Sequence, residues 1–289
     1  MASAPAPENH ETDRRRREEE AAALALLLHG RTKRYDLPAL IRQAKVRPRR
    51  FTQIRPTNAL KADLAAPYFD ITRAWASEVD ALIAAYQRGP IAIQTQLGLS
   101  TSQVEQIVAT AKRRFPAIVQ RIEQWHRVQW SSRVRASTGL DVTLLTQPDD
   151  VVDDVDATTA WNQALADDVH RQVGHGIATA LLAGAAASVP PSEVRARVAE
   201  VIAKARKRSA GIGDDQVDKL SRAMDRSRRQ AAGVTTFRWR HTPQRHPRDW
   251  HKARDGQTFT EETAPEPSDR AGVPPFCKCW EEMVLTTSA

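Results

Sequence analysis

Cysteine is almost missing from this chain of 289 residues: there are two, Cys277 and Cys279, one residue apart. A pair so spaced cannot make the disulfide framework of a small secreted domain. Long apolar runs are missing as well. The longest, residues 21–30 and 177–189, fall short of the roughly 20 residues that cross a bilayer. The N-terminus is polar and lacks the basic-then-apolar order of a signal peptide, so an unexported, intracellular protein without a membrane partner is expected. There is no G-x-x-x-x-G-K loop and no G-x-S-x-G elbow, which leaves nucleotide motors and serine hydrolases without support. Aromatics make up only 6% of the residues, and Ala, Arg and Val are plentiful, which favours helices over an all-β fold.

Charge, by contrast, is abundant: the net charge is +8, the pI is about 9.9 and the mean hydropathy is −0.53. Such a surface attracts polyanions, so double-stranded DNA is a candidate partner. Across 190–231 there are eleven Lys or Arg against six Asp or Glu. Arg195, Arg206, Lys207, Arg222, Arg226, Arg228 and Arg229 are the residues expected to face DNA; a solvated helix pair is the plainer reading of the same charges.

Patterning predicts a mainly α protein with a small C-terminal α+β unit, long amphipathic helices preceding a short-stranded β region. Residues 1–57 read as a disordered or extended basic arm carrying one helix from Asp13. Residues 58–147 read as a helical domain, with apolar residues at helical spacing over 58–88 and again over 101–135. Residues 137–145 read as a short strand. The acidic stretch 148–159 reads as a linker and the main boundary. Residues 160–286 read as the last domain: a small-residue helix over 160–188, helices over 190–208 and 213–233, a strand over 234–240, a turn at Asp255-Gly256, and a closing strand after Cys277.

Two chemistries compete in "HPRDWHKARDGQTF" and "PPFCKCW". A Cys–His nucleophile pair would need a third, orienting group, and the sequence names none. His246, His251, Cys277 and Cys279 offer soft ligands for a structural zinc ion, with His241 near in sequence. Against this, the two thiolates of a Cys-x-Cys on a strand diverge to opposite faces, and His251 and the cysteines could simply be loop-organising and core residues.

The order of these pieces resembles the phage Mu F-like family of head-morphogenesis (minor head) proteins. Ala232-Gly233-Val234 leads to Phe237 and Trp239. Arg248, His251, Asp255 and Gly256 fill the turn, and Cys277-Lys278-Cys279 closes the motif. The likeness covers roughly 160–286. Phe276 stands where the family usually has Asn, Asp214 where many members have Arg, and His246-Pro247-Arg248 replaces a spacer that often holds Asp. The resemblance implies a non-enzymatic virion component inside the head near the portal, made in the host cytoplasm. It would act in head assembly and DNA packaging or ejection, with portal and capsid or scaffold proteins as partners. The alternatives are a metal-dependent hydrolase or nuclease using the His/Cys cluster, and a nonspecific DNA-binding protein.

Overall fold

The computed structural model of the protein describes residues 34–243 and 248–285. The helix expected from Asp13, and His246, lie outside these residues. The described chain is mainly helical and ends in a small sheet: α1 (Leu37–Gln43), α2 (Asn58–Ser77), α3 (Val79–Arg88), α4 (Pro90–Thr138), α5 (Val152–Ala186), α6 (Pro191–Ala231), β1 (Phe237–Arg240), α7 (Asp249–Ala253), β2 (Thr258–Phe259) and β3 (Trp280–Met283). No helix among the described residues is long and apolar enough to cross a membrane.

Several boundaries differ from expectation, each for a local reason. Residues 34–57 are not a loose arm: they form the short helix α1 and then an extended stretch with one face seated. Asp36 caps α1 by accepting from the Ala39 amide, and Leu37, Ile41, Phe51 and Ile54 are buried. The helix expected over 58–88 breaks at Glu78, whose carboxylate takes a hydrogen bond from Ser100 at 2.8 Å. The next helix begins at Pro90 rather than Thr101, because Gly89 at φ 105° reverses the chain and proline suits a first helical position. Residues 137–145 form no strand: Asp141 accepts from the Thr143 amide, closing a turn instead. The acidic stretch 148–159 is no loose linker. It forms a 3₁₀ turn and the start of α5, where carboxylates favour the positive end of the helix. Asp150 there is buried and lies 3.4 Å from Arg34.

The expected pair of helices over 190–208 and 213–233 is one helix of 41 residues, α6. Gly213 does not end it. A Cβ there would sit 2.7 Å from Ala65 Cβ and 2.8 Å from the Lys61 carbonyl oxygen, so the glycine lets α2 approach. The same logic holds in α5, where Gly174 meets Trp75 and Gly176 meets Val201.

The described residues divide into two compact units interleaved in sequence rather than consecutive: residues 34–54, 126–154, 221–243 and 248–285 form the first, and 55–125 and 155–220 the second. The expected division at 148–159 catches one crossing, near Asp154, and misses the others. The second unit is helical, with Leu64, Tyr68, Ile71, Trp75, Phe115, Val169, Val173 and Val217 buried. Tyr68 donates to Asn162 Oδ1 at 2.7 Å inside it.

The first unit holds the sheet, in the order β2-β1-β3 and antiparallel throughout. Its interior is unusual in being charged. Glu281 on β3 is buried and accepts from Arg270 Nε and Nη2, both at 2.8 Å, from Arg229 Nη2 at 2.8 Å and from Arg226 Nη1 at 3.2 Å. Glu261 adds a second carboxylate, 2.6 Å from Arg229 and 3.1 Å from Arg270. The guanidinium carbons of Arg229 and Arg270 lie 4.6 and 4.7 Å from the Phe237 ring centre.

This corrects four of the arginines expected to face DNA. Arg222, Arg226, Arg228 and Arg229 are each at most 5% exposed. Arg222 donates to the Ile54 carbonyl at 3.1 Å, and Arg228 donates to Nδ1 of the buried His126, whose Nε2 lies 3.0 Å from Asp225. The remaining three, Arg195, Arg206 and Lys207, are exposed on α6.

Burial alone would raise the Glu281 carboxyl. Attraction to Arg270, Arg226 and Arg229 outweighs it and holds the group at about 2, against 4.5 ordinarily. A carboxyl lowered in this way contributes stability above the unfolded value, and that contribution is lost as pH falls from about 4.5 towards 2. At neutral pH it amounts to roughly 3 kcal/mol. Glu281→Gln is therefore expected to lower stability at pH 7 by about 3–5 kcal/mol, since it strands the guanidiniums, and to flatten the acid limb of urea-unfolding profiles taken across that window. An unchanged acid limb would contradict the assignment. Gly213→Ala, in the other unit, is expected to cost about 1–3 kcal/mol through overpacking against α2, measured by the same unfolding.

Candidate metal centre

The site is built from four short pieces of the first unit. The first is the exit from α6. Gly233, at φ 70°, donates its amide to the Gln230 carbonyl, and the Val234 amide reaches the Arg229 carbonyl at 3.0 Å. That paired termination needs a left-handed residue, which glycine supplies without strain. It aims the chain into β1, where alternation buries Phe237 and Trp239. Asp255 and Gly256 form the expected reversal: Asp255 Oδ1 accepts from the His241 amide at 2.9 Å, and the Gly256 amide donates to the Trp239 carbonyl.

The second piece is α7, one short helix begun by Arg248. The Arg248 guanidinium donates to the Pro275 carbonyl at 3.2 Å, tying α7 to the loop that carries the cysteines. His251 is 1% exposed, its ring edge-on to Trp239 with centres 5.0 Å apart. The third piece is the 3₁₀ turn Pro267–Asp269, which delivers Asp269. Its Oδ1 lies 2.9 Å from His251 Nε2 and accepts from Trp250 Nε1 at 3.1 Å, while Oδ2 takes Arg254 at 2.6 Å. Burial pushes the Asp269 carboxyl up, but the hydrogen bonds from His251, Arg254 and Trp250 prevail and hold it below the ordinary range.

The fourth piece is the turn before β3. The Cys277 amide closes on the Pro274 carbonyl at 3.0 Å, and Phe276 is left-handed at φ 57°. Asn tolerates that conformation far better than Phe. Because β3 begins only at Trp280, the two cysteines are not on a strand and their side chains need not diverge. This corrects the objection drawn from Cys-x-Cys geometry.

The result is a buried set of three donors. One ligand atom each of His251, Cys277 and Cys279 lies within 4.8 Å of the others, and Cys277 Sγ is 3.4 Å from His251 Nδ1. Around a tetrahedral zinc, a sulfur and a nitrogen ligand are about 3.6 Å apart. Asp269 sits against Nε2, which turns Nδ1 towards the sulfurs, the carboxylate–histidine pairing usual behind a metal-bound imidazole. Cys277 is held at about 5, chiefly by a hydrogen bond from the Cys279 thiol and against burial, with help from the Gly272 and Cys279 amides and His251. Cys279 is pushed up by that same hydrogen bond, by burial and by the neighbouring thiolate. These three residues could hold a metal ion.

Of the motif residues expected from the sequence, Gly233, Phe237, Trp239, Arg248, His251, Asp255, Gly256, Cys277 and Cys279 all fall in this unit. His246 lies outside the described residues. His241 is tied to Asp255 through its amide and is not among the three clustered donors. Asp269 and Trp250 were missed. An Asp in a proline-rich loop, 18 residues from the histidine it orients, has no periodic signature.

No family model matches the chain, and no solved structure matches it. An uncharacterized protein of Haemophilus influenzae is similar to it, 24% identical over 186 residues, a stretch that covers 64% of this chain and 40% of the relative. The likeness thus spans less than half of that protein's length.

Proposed function

We propose that the protein is a minor head protein of a tailed phage or prophage, acting at the portal in head assembly and in DNA packaging or ejection, and that a structural zinc ion holds its C-terminal unit. One observation carries the reading: the nine motif residues that resemble the Mu F-like pattern gather in one unit, most of them within one or two contacts of the His251–Cys277 pair. Portal, capsid or scaffold proteins are the partners this reading requires.

The triad-like line Asp269–His251–Cys277 supports a metal clip better than a nucleophile. Cys277 is 3% exposed and His251 1%, so no substrate carbonyl could approach the sulfur without opening the unit. The hydrogen bond that lowers Cys277 most comes from a second cysteine, a converging soft ligand with no part in a Cys–His nucleophile.

Metal analysis of protein purified without added zinc is expected to give close to one zinc per chain, and a chelator is expected to unfold the C-terminal unit. Cys277→Ser and Cys279→Ser should each lose the ion. Asp269→Asn should retain the three donors yet weaken zinc binding by about 10- to 100-fold. Protein that is metal-free yet stable in chelator would sink the zinc assignment. For the virion role, co-purification with the portal protein encoded beside it is the test. No portal association, together with absence from purified virions, would overturn that role whatever the zinc result, and plasmid cleavage abolished by His251→Ala would point to the hydrolase instead.

A further inference from the structure

With Arg222, Arg226, Arg228 and Arg229 buried, the free positive charge of the first unit lies elsewhere. Residues 42–50, "RQAKVRPRR", carry Arg42, Lys45, Arg47, Arg49 and Arg50, all exposed, and no acidic residue occurs between Asp36 and Asp63. Among the described residues, Arg42, Lys45, Arg47 and Arg49 have no carboxylate at ion-pair distance. Arg50 shares Glu282 with Arg240, so two guanidiniums meet one carboxylate and the local excess stays positive. On the exposed part of α6 the cations are largely answered: Arg195 by Asp80, Arg197 by Glu193, Lys204 by Glu200, Arg208 by Asp168.

The segment is also fixed in place. Ile41 and Phe51 at its ends are buried, the Phe51 ring lies 5.3 Å from Trp130, and the Arg49 amide donates to the Ser137 carbonyl at 2.7 Å. Val46 and Pro48 are half-buried while Arg47 and Arg49 are exposed, the alternation of an extended chain with one face seated. Lys45 is left-handed at φ 53° where α1 ends, with the Val46 amide on the Ile41 carbonyl. Glycine would serve that position without strain, so the lysine there is held at a conformational disadvantage.

We propose that residues 42–50 are the protein's polyanion-binding surface and that its occupant is the phosphate backbone of double-stranded DNA. Four of the five cations are arginines, whose planar fork matches phosphate. None of the exposed large apolar residues lies in the segment, so it lacks the wedge of a membrane-surface element and the anchor of a protein interface. It contains no aromatic residue, and the adjacent Phe51 is buried, so it offers no stacking platform for the bases of a single strand. Recognition would be of backbone charge, without sequence readout. The inference stands apart from the virion reading and survives its failure.

Fluorescence anisotropy of the full chain with a short labelled duplex, across about 50–200 mM salt, tests it. Wild-type affinity is expected to fall linearly in log–log form. The variant R42A/K45A/R47A/R49A should shallow that slope by about 3 to 4, near 0.9 for each phosphate contact. R42K/R47K/R49K, which keeps the charge, should retain the slope, separating lost charge from a lost fold. R195A/R206A/K207A should bind like wild type. The proposal is overturned if the alanine variant, folded by circular dichroism, keeps the wild-type slope, or if the α6 variant is the one that loses it. It is equally overturned if wild type ignores the duplex while binding poly-glutamate or phosphatidylglycerol vesicles.

Discussion

The Glu281 carboxylate is the fixed point of the first unit. A buried charge is tolerable only while its partners are in place; a partner withdrawn leaves several kcal/mol of uncompensated desolvation. Glu281 has three guanidinium partners, two from the end of α6 and one from the loop after the 3₁₀ turn. That arrangement ties helix, loop and β3 together with little tolerance for displacement. The candidate metal centre inherits this rigidity. Cys279 is two residues before Glu281 on the path into β3, and Arg226 also donates to the Ala271 carbonyl at 3.2 Å. Gly272 follows, so close to Arg222 that a Cβ would lie 2.5 Å from its Cγ. The Gly272 amide then helps to hold the Cys277 thiolate. The chain of cause runs from a charge network to the placement of a sulfur.

Why arginine should fill a core is answered by what else it touches. The stems of Arg229 and Arg270 carry their guanidiniums over Phe237 while the heads bond Glu281, so each side chain packs and pairs at once. A hydrophobic replacement of equal volume could match the stability of such a network, but it would not fix direction. Three strands of four, two and four residues make a sheet too small to specify its own register. A network that is satisfied in only one arrangement supplies that specification.

The legible and illegible parts of the sequence divide along this line. Helical periodicity, the Gly233 termination, the Asp255-Gly256 reversal and the alternation into Phe237 and Trp239 are local, and all are visible in a single stretch of residues. The break at Glu78, bonded by Ser100, and the uninterrupted passage through Gly213, packed on α2, were misread because their partners come from other helices rather than from the adjacent residues. The charged core was misread most. Arg226 and Arg229 occupy a basic, polar run that resembles a solvated surface, and only their distant partners Glu261, Arg270 and Glu281 reveal otherwise. The sulfurs were underestimated for a similar reason: assigning Cys277 and Cys279 to a strand sent them apart, whereas the turn at Phe276 turns them together.

The two staples of the first unit also divide the work between them. The Arg–Glu network grips β3 and the end of α6. The His251–Cys277–Cys279 cluster, with Asp269 behind it, grips α7 and the proline-rich loop against Trp239. The buried apolar cluster they flank is small, Trp239, Ala271, Cys277 and Cys279 with Phe259 packed beside it, and a core of that size contributes little by area alone. Two of its four buried members are the cysteines themselves. Their sulfurs are at once packing groups and soft donors gathered beside His251. A cation held by both sulfurs and His251 would add a cohesion that two alanines or valines at those positions could not supply.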